Sequence, residues 1–128
     1  MSVSPMRRAR FLSYEDQRIL YVDYTDIRSA EELEKAARKA TQLVRAEPPN
    51  SVLMLLNFTG VPFGLRIIRI LGEAAAANAE FVRARAIIGI PESARSTVGA
   101  VAEYSGRPLE LFREEGAAME WLAGHADA

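Results

Sequence analysis

The side chains best suited to chemistry follow three predicted strands, at the point where each strand ends. In an open α/β sheet, ligands tend to bind outside the carboxyl ends of the strands. The sequence predicts that three loops meet at this edge, over residues 23–26, 57–64 and 90–96. We call this edge the rim, and we expect it to bind a ligand or a partner. Its predicted members are Asp23, Thr25, Asp26, Asn57, Thr59, Phe63, Arg66, Ser93, Arg95 and Ser96.

Two carboxylates, Asp23 and Asp26, lie in the first of these loops. General acid and base catalysis requires one such group to be buried or to face the other. The single histidine, His125, falls in the C-terminal tail, and the chain contains no cysteine. The alternative is that Asp26 begins a turn before the first helix. Because no nucleophile is paired with a base in the usual way, we expect no catalytic residue and no enzyme.

Ser93 and Ser96, at a predicted helix start, allow two interpretations. Together with Thr97, Arg95 and free backbone amides, they can cradle an anion. Alternatively, Ser93 simply caps the helix through its hydroxyl.

The sequence gives no pattern for a phosphate or metal site. The glycines are too scattered for a phosphate loop. With no cysteine and one histidine, only oxygen ligands remain for a metal. No calcium-loop spacing occurs, so we expect no cofactor and no metal.

The elements that position the rim are clearest over residues 52–71. An unbroken apolar run, VLMLL, ends at Asn57, and an amphipathic helix follows almost at once. A strand that is buried on both faces and feeds a helix is typical of a parallel-type α/β sheet. Before it, residues 11–14 and 19–23 predict a β-hairpin, and Ser29 with Glu32 forms a capping box for the first helix.

The later elements complete one domain. Residues 65–81 predict a second helix, 84–90 a strand, 94–104 a third helix, 109–112 a last strand and 114–123 a last helix. The prediction is an α/β sandwich with a mixed sheet and the element order β-β-α-β-α-β-α-β-α. We place the domain at residues 10–124, with a flexible lead over 1–9 and a tail over 125–128. The apolar arc of the second helix is broader than one sheet face needs. We expect the domain itself to cover it, and the alternative is that part of it contacts a partner subunit. The arc and the exposed edge of the hairpin together slightly favour a homodimer.

Composition restricts the class of protein. The chain has 128 residues, of which 49% are hydrophobic, and this suffices for one domain with its own core. Its 16 basic and 17 acidic residues give a net charge of -1, so we expect no general nucleic-acid binding. No apolar run approaches the roughly 20 residues that span a bilayer. The first residues lack the apolar core of a secretory signal, and we expect a cytoplasmic protein.

The segment NFTGVPF, residues 57–63, resembles the core of STAS domains, the fold of bacterial anti-sigma-factor antagonists. In that family a buried strand ends in Asp, an apolar residue, Ser or Thr, and Gly, and an Asp-Ser-Ser-Gly loop precedes the next helix. Gly64 and Leu65 match the end of that loop. The Asp-Ser-Ser triplet, which holds the family's phospho-acceptor serine, is missing, and Asn57 replaces the usual acidic residue. An uncharacterised, SpoIIAA-like branch of the superfamily is similar also over residues 19–24 and 118–122.

The resemblance implies a non-catalytic regulatory module that binds another protein through the second helix and residues 59–64. Thr59 is then either a degenerate phosphorylation site or a residue that bonds its own turn. The alternative function is binding of a small apolar or lipid-like ligand at the rim, because the fold is similar to the CRAL-TRIO lipid-exchange domain. The residues expected to line that pocket are Phe58, Val61, Pro62, Phe63, Ile67 and Leu71. A hydrolase that uses Asp23 ranks third.

Overall fold

Residues 8–103 and 106–126 are described by the computed structural model of the chain. Five strands and four helices follow one another within these ranges. The strands are β1 (Ala9–Tyr14), β2 (Gln17–Asp23), β3 (Val52–Asn57), β4 (Val82–Ile88) and β5 (Leu109–Phe112). The helices are α1 (Ala30–Arg45), α2 (Leu65–Asn78), α3 (Glu92–Glu103) and α4 (Glu115–Ala123). The predicted α/β class and the predicted order of elements are confirmed.

The five strands form one mixed sheet in the order β1-β2-β3-β4-β5. β1 pairs antiparallel with β2, and every later pair of neighbours is parallel. The hairpin turns through Glu15 and Asp16, whose φ values of 47° and 65° are both left-handed. A two-residue loop with two left-handed residues matches the twist of the flanking strands. The predicted N-terminal hairpin is therefore present.

The strand order places the first three helices on one face of the sheet. Crossovers between parallel strands are right-handed, so successive crossovers that advance in one direction stay on the same side. Leu33 of α1 and Ile67 of α2 share a core with Met54 of β3. α4 follows the edge strand and covers the opposite face, where Leu122 packs in a core with Leu53. β3 is thus buried on both sides, which explains its unbroken apolar run.

A register shift at the start of the β3–β4 pair leaves Arg83 as an extra residue of β4. Without the shift, Arg83 and Arg85 would share one face, because strand side chains alternate. Instead Arg83 donates to the Ala126 carbonyl on the α4 side, whereas Arg85 donates to the Ala75 carbonyl of α2 at 2.8 Å. The shift therefore places one arginine inside the larger core.

The two ends of the domain differ from the prediction. The flexible lead predicted over residues 1–9 is corrected at its end, because β1 begins at Ala9 and Arg8 is buried. Residues 1–7 lie outside the described residues. In the predicted tail, His125 is half-buried, and its Nδ1 lies 2.9 Å from the Trp121 carbonyl oxygen. Residues 127 and 128 also lie outside the described residues.

Helix ends follow local hydrogen bonds. The predicted cap of α1 is present, since the Ser29 hydroxyl accepts from the Glu32 N–H at 3.2 Å. α3 begins at Glu92, so Ser93 lies inside the first turn and the capping interpretation of Ser93 is wrong. The reason is that Pro91 precedes the helix and its carbonyl accepts from an N–H of the first turn. The carbonyl of the residue before a helix accepts the first hydrogen bond of the helix, and Pro91 takes that role in place of Ser93.

The wide apolar arc of α2 packs between α1, α3 and the sheet. Ile67 and Ile70 are buried in the larger core, and Leu71 and Ala74 border the same core. Burial within the domain therefore accounts for most of the arc. The homodimer stays a prediction.

Candidate functional site

The rim is held together by backbone hydrogen bonds between the segments that follow β2, β3 and β4. The Tyr24 N–H donates to the Asn57 carbonyl and the Asp26 N–H to the Thr59 carbonyl, both at 2.8 Å. The Phe58 N–H donates to a carbonyl at the end of β4 at 2.9 Å. The ladders of the sheet thus continue beyond the strand ends, and the rim is one continuous layer of backbone.

Two glycines allow these segments to approach one another. Gly60 has a φ of 81°, and a β-carbon built on it would lie 2.1 Å from Asp26 Oδ1. Gly89 has a φ of 84°, and its β-carbon would lie 2.4 Å from the Thr59 nitrogen. Both residues occupy the left-handed region that favours glycine. A side chain at either position would have to push the neighbouring loop away.

Asn57 organises the end of β3. Its Nδ2 donates to the Tyr21 hydroxyl at 3.0 Å, and its Oδ1 accepts from the Thr59 N–H at 3.1 Å and from the Thr59 hydroxyl at 2.7 Å. Bonds from an Asn side chain to the residue two positions on form an Asx turn. Burial raises the pKa of Tyr21, the bond from Asn57 opposes that rise, and the charge of Asp23 adds to it. Thr59 bonds its own turn, as one of its two interpretations predicts.

Asp23 and Asp26 each hold the backbone of their loop. Asp23 Oδ1 accepts from the Thr25 N–H at 2.9 Å. Arg8, which the sequence assigned to the flexible lead, donates through Nη1 to the carbonyls of Asp23 at 2.9 Å and Thr25 at 3.1 Å. Asp26 has a φ of 60°, and its carboxylate lies over Gly60. Short polar side chains tolerate this left-handed conformation better than most.

The apolar residues predicted to line a rim pocket fill that space themselves. Phe58 is buried, and its ring stacks on Tyr24 with centroids 4.9 Å apart and an angle of 3° between the planes. Phe63 meets Phe58 edge-on at 5.6 Å. Val61 is also buried in the core. The rim therefore has a packed aromatic base in place of an open apolar pocket.

The remaining predicted residues surround the rim without converging on one point. Arg66 forms an ion pair with Glu31 of α1 at 3.1 Å, and both side chains are exposed. Arg95 and Ser96 line an open groove between α3 and β5. Ser93 is exposed in the first turn of α3. The rim is thus a tight layer of backbone with separate polar side chains around it.

A second candidate site lies inside the protein, between the sheet and helices α1, α2 and α3. It is a cavity of about 70 Å³ with a mostly apolar lining, and we call it the interior cavity. Ala37 and Ala40 of α1 and Ala74 of α2 leave it open, because their side chains end at the β-carbon. Met54 and Ile87 form part of its floor on the sheet.

Two buried polar side chains line the interior cavity. Arg85 of β4 is 2% exposed and Asn78 of α2 is 4% exposed. Arg85 Nη2 donates to the Ala75 carbonyl at 2.8 Å, and Asn78 Nδ2 donates to the Thr41 hydroxyl at 3.3 Å. Within the described residues, Arg85 Nη1 and Asn78 Oδ1 have no hydrogen-bond partner. Because buried polar atoms are nearly always bonded, these two require an explanation.

Arg85 also lacks an acidic partner in the part of the chain that the structure describes. Burial lowers the pKa of Arg85 to about 10, and the positive charge of Arg107 lowers it further by a smaller amount. Arg85 is therefore still charged at neutral pH. An isolated buried charge is costly unless an opposite charge or several hydrogen bonds compensate it.

Of the six residues that the sequence predicted for an apolar pocket, Phe58 and Leu71 line the interior cavity. The sequence placed that pocket at the rim, however, and missed its position between the sheet and the helices. The one signal was an arginine in the middle of an apolar strand, VRARAII, at an alternating position shared with Ile87. The alanines that open the space gave no signal, because alanine is common in any helix.

For metals, no cluster of three or more suitable acidic, histidine or cysteine side chains exists among the described residues. In the same residues, no helix has the length and apolar character needed to cross a membrane.

Comparison with known proteins bears on the fold. No family model matches the chain, and no curated protein matches it. Among solved structures, the chain is similar to an uncharacterised protein of the DUF3478 family from Shewanella loihica PV-4, described as having a SpoIIAA-like fold. The two share 14% sequence identity with a TM-score of 0.71, over 89% of this chain and 91% of the other. At this identity the likeness concerns the fold alone. The prediction of a SpoIIAA-like fold is confirmed.

Proposed function

We propose that this protein is a non-catalytic regulatory module that binds a small, largely apolar molecule in the interior cavity. The observation that carries the proposal is an apolar cavity of about 70 Å³, lined by two buried side chains that each keep an unbonded polar atom within the described residues. Ligand sites are typically concave and mostly apolar, with a few polar groups that orient the ligand. The SpoIIAA-like fold supports a regulatory role, and the local bonds of Asp23 support a non-catalytic one.

The size of the interior cavity limits the ligand. An apolar cavity of about 150 Å³ binds benzene, whereas one water takes up about 30 Å³. The interior cavity, at about 70 Å³, therefore accepts a few heavy atoms as it stands. A molecule with as many heavy atoms as benzene requires the helices around the cavity to move apart.

Native mass spectrometry of gently purified protein tests this proposal. We expect the wild type to carry a small bound mass, and Ala74→Leu to lose it because leucine fills the cavity. The matched control is Ala76→Leu, which adds the same side chain on the exposed side of the same helix and should keep the bound mass. A wild-type mass equal to the bare chain, or to a simple multiple of it, contradicts the proposal.

One exposed side chain favours a second candidate function, the binding of another protein at the rim. Leu65, the first residue of α2, is 87% exposed, and among the side chains whose burial is described it is the only large apolar one that is exposed. It follows the exposed Pro62 and Gly64, so it extends the partner surface expected over residues 59–64. A large exposed apolar side chain is costly in water and gains free energy when a partner covers it.

Cross-linking followed by capture from a native lysate tests the second candidate. Leu65→Ser should leave stability unchanged, because the side chain has few contacts to lose, and should reduce the captured partner. Gln42→Ser, an exposed change on α1, is the control. If the leucine variant captures the same proteins in the same amounts as the wild type, the rim is not the partner surface.

The predicted homodimer belongs with this candidate. Among the described strands β1 lies at the edge of the sheet, with β2 as its one neighbour, and an exposed edge can pair with a second copy. Light scattering at micromolar concentration should then give twice the mass of the chain. A monomer mass would remove the homodimer.

A further inference from the structure

Arg85 distinguishes between the classes of ligand that the interior cavity could take. Its Nη2 is committed to the Ala75 carbonyl at 2.8 Å, which fixes the orientation of the guanidinium. Its Nη1 stays unbonded within the described residues, although the side chain is only 2% exposed. A guanidinium is a rigid fork of donors that cannot accept hydrogen bonds. The group that completes this site must therefore be an acceptor, and an anion completes it best.

The rest of the lining decides which anion fits. Apart from Arg85, the cavity wall offers one amide and the phenol of Tyr24, and its other side chains are apolar. A phosphate or sulfate carries more charge than one guanidinium compensates and would bring several oxygens against apolar carbon. A carboxylate carries one charge, matches the planar fork and leaves its chain free to occupy the apolar part.

Asn78 can take part without losing its present contact. Its Nδ2 donates to the Thr41 hydroxyl at 3.3 Å, while its Oδ1 is unbonded within the described chain. A hydroxyl both donates and accepts, so half a turn of the amide keeps a bond to Thr41 through Oδ1. The turn presents Nδ2 as a second donor beside Arg85. Asn78 and Arg85 both line the interior cavity, so both donors can face a ligand there.

We infer that the interior cavity binds a short monocarboxylate, with its carboxylate on Arg85 and Asn78 and its apolar chain between the alanines of α1 and α2. This inference rests on the proposed function and names the class of ligand. The volume of about 70 Å³ sets the length, so affinity should rise by about fourfold for each methylene until the cavity is full, and then level off or fall.

Isothermal titration with acetate, butyrate and octanoate, and with 1-butanol as the uncharged analogue, tests the inference. The wild type should bind butyrate more tightly than 1-butanol. Arg85→Met should weaken butyrate binding by about tenfold to a hundredfold and leave 1-butanol binding unchanged, because it keeps the volume and removes the charge. Arg83→Met, which removes an arginine of the same strand from the opposite face, is the matched control and should bind butyrate like the wild type.

The outcomes separate this inference from the proposed function. If butyrate and 1-butanol bind equally and Arg85→Met changes neither, the cavity binds apolar molecules but the carboxylate assignment is overturned. If none of these probes binds but native mass spectrometry shows a bound mass, the ligand class is again overturned. If both experiments show nothing, the cavity holds water and both proposals are overturned.

A folding control makes the variant interpretable. Replacing an unpaired buried charge with an apolar side chain of similar volume should be neutral or stabilising. If Arg85→Met unfolds the protein, Arg85 is needed for the fold, and the wild-type comparison of butyrate with 1-butanol then decides the question. Arg85→Lys keeps the charge but loses the fork, so it should restore part of the butyrate affinity.

Discussion

Replacing Gly89 with alanine should destabilise the protein through two separate effects. Gly89 has a φ of 84°, and its β-carbon would lie 2.4 Å from the nitrogen and 2.6 Å from the hydroxyl oxygen of Thr59. A residue with a β-carbon costs about 1–2 kcal/mol in this left-handed region. Forcing a neighbouring backbone to shift typically costs about 1–3 kcal/mol more. We therefore expect the free energy of unfolding to fall by about 2–5 kcal/mol.

Gly106→Ala separates the two effects. Gly106 has a φ of 69°, but no described atom lies within 4 Å of the β-carbon that alanine would add. This variant should lose only the conformational part, about 1–2 kcal/mol. The difference between the two variants then measures the close approach of Gly89 to Thr59.

Urea unfolding followed by circular dichroism is the assay. At a typical slope of about 2 kcal/mol per molar urea, the midpoint should fall by about 1–2.5 M for Gly89→Ala and by about 0.5–1 M for Gly106→Ala. The double variant Gly89→Ala with Thr59→Gly should recover little stability, because the contact at 2.4 Å is with the backbone nitrogen. Equal midpoints for the two alanine variants would refute the reasoning, since the rim would then tolerate a side chain at Gly89.

Three further predictions concern single hydrogen bonds and buried phenols. Ser29→Ala should lower the free energy of unfolding by about 1 kcal/mol, because it removes the cap on the Glu32 N–H; an unchanged urea midpoint would contradict this. Burial raises the pKa of Tyr24 above its ordinary value of 10.0, so the unfolded chain loses this proton first and wild-type stability falls as the pH rises through that value. Between about pH 10 and 11, the free energy of unfolding of the wild type should fall by about 1 kcal/mol more than that of Tyr24→Phe. If the free energies of the two proteins change in parallel with pH, the effect is absent. Asn57→Leu should raise the pKa of Tyr21, because the hydrogen bond from Asn57 lowers that pKa. Ultraviolet titration measures the change, with Tyr21→Phe as the reference that lacks this phenol. A pKa of Tyr21 that falls in Asn57→Leu would contradict the expectation.

Local patterns in the sequence were enough for the order of elements. The apolar run of β3, the helical period of residues 65–81 and the cap at Ser29 depend on neighbours a few positions away, and the structure contains the element that each one predicts. The predicted start of α3 was wrong, because Pro91 and Ser93 are both suited to precede a helix. The helix follows Pro91 and begins at Glu92, two residues earlier than predicted. Where one local signal dominates, the residue types alone decide the element.

The rim shows the limit of reasoning from topology. The sequence predicted correctly that the ends of β2, β3 and β4 approach one another, because parallel strands end at the same edge. Crevices at that edge open where the strand order reverses direction. In this protein the order advances from β1 to β5 without reversal, so the loops close over the edge and Phe58 fills the space beneath.

The sequence by itself determined the α/β class, the hairpin and the unbroken core strand, because each of these follows from the period of apolar residues along the chain. Only the tertiary structure decided the interior cavity and the position of Arg85. Both depend on contacts between distant segments, such as the bonds from Arg85 to Ala75 and from Asn78 to Thr41, whereas the register shift between β3 and β4 turns Arg83 to the opposite face. A shift of one residue turns a side chain to the opposite face of a sheet, and no pattern within the strand itself specifies that shift.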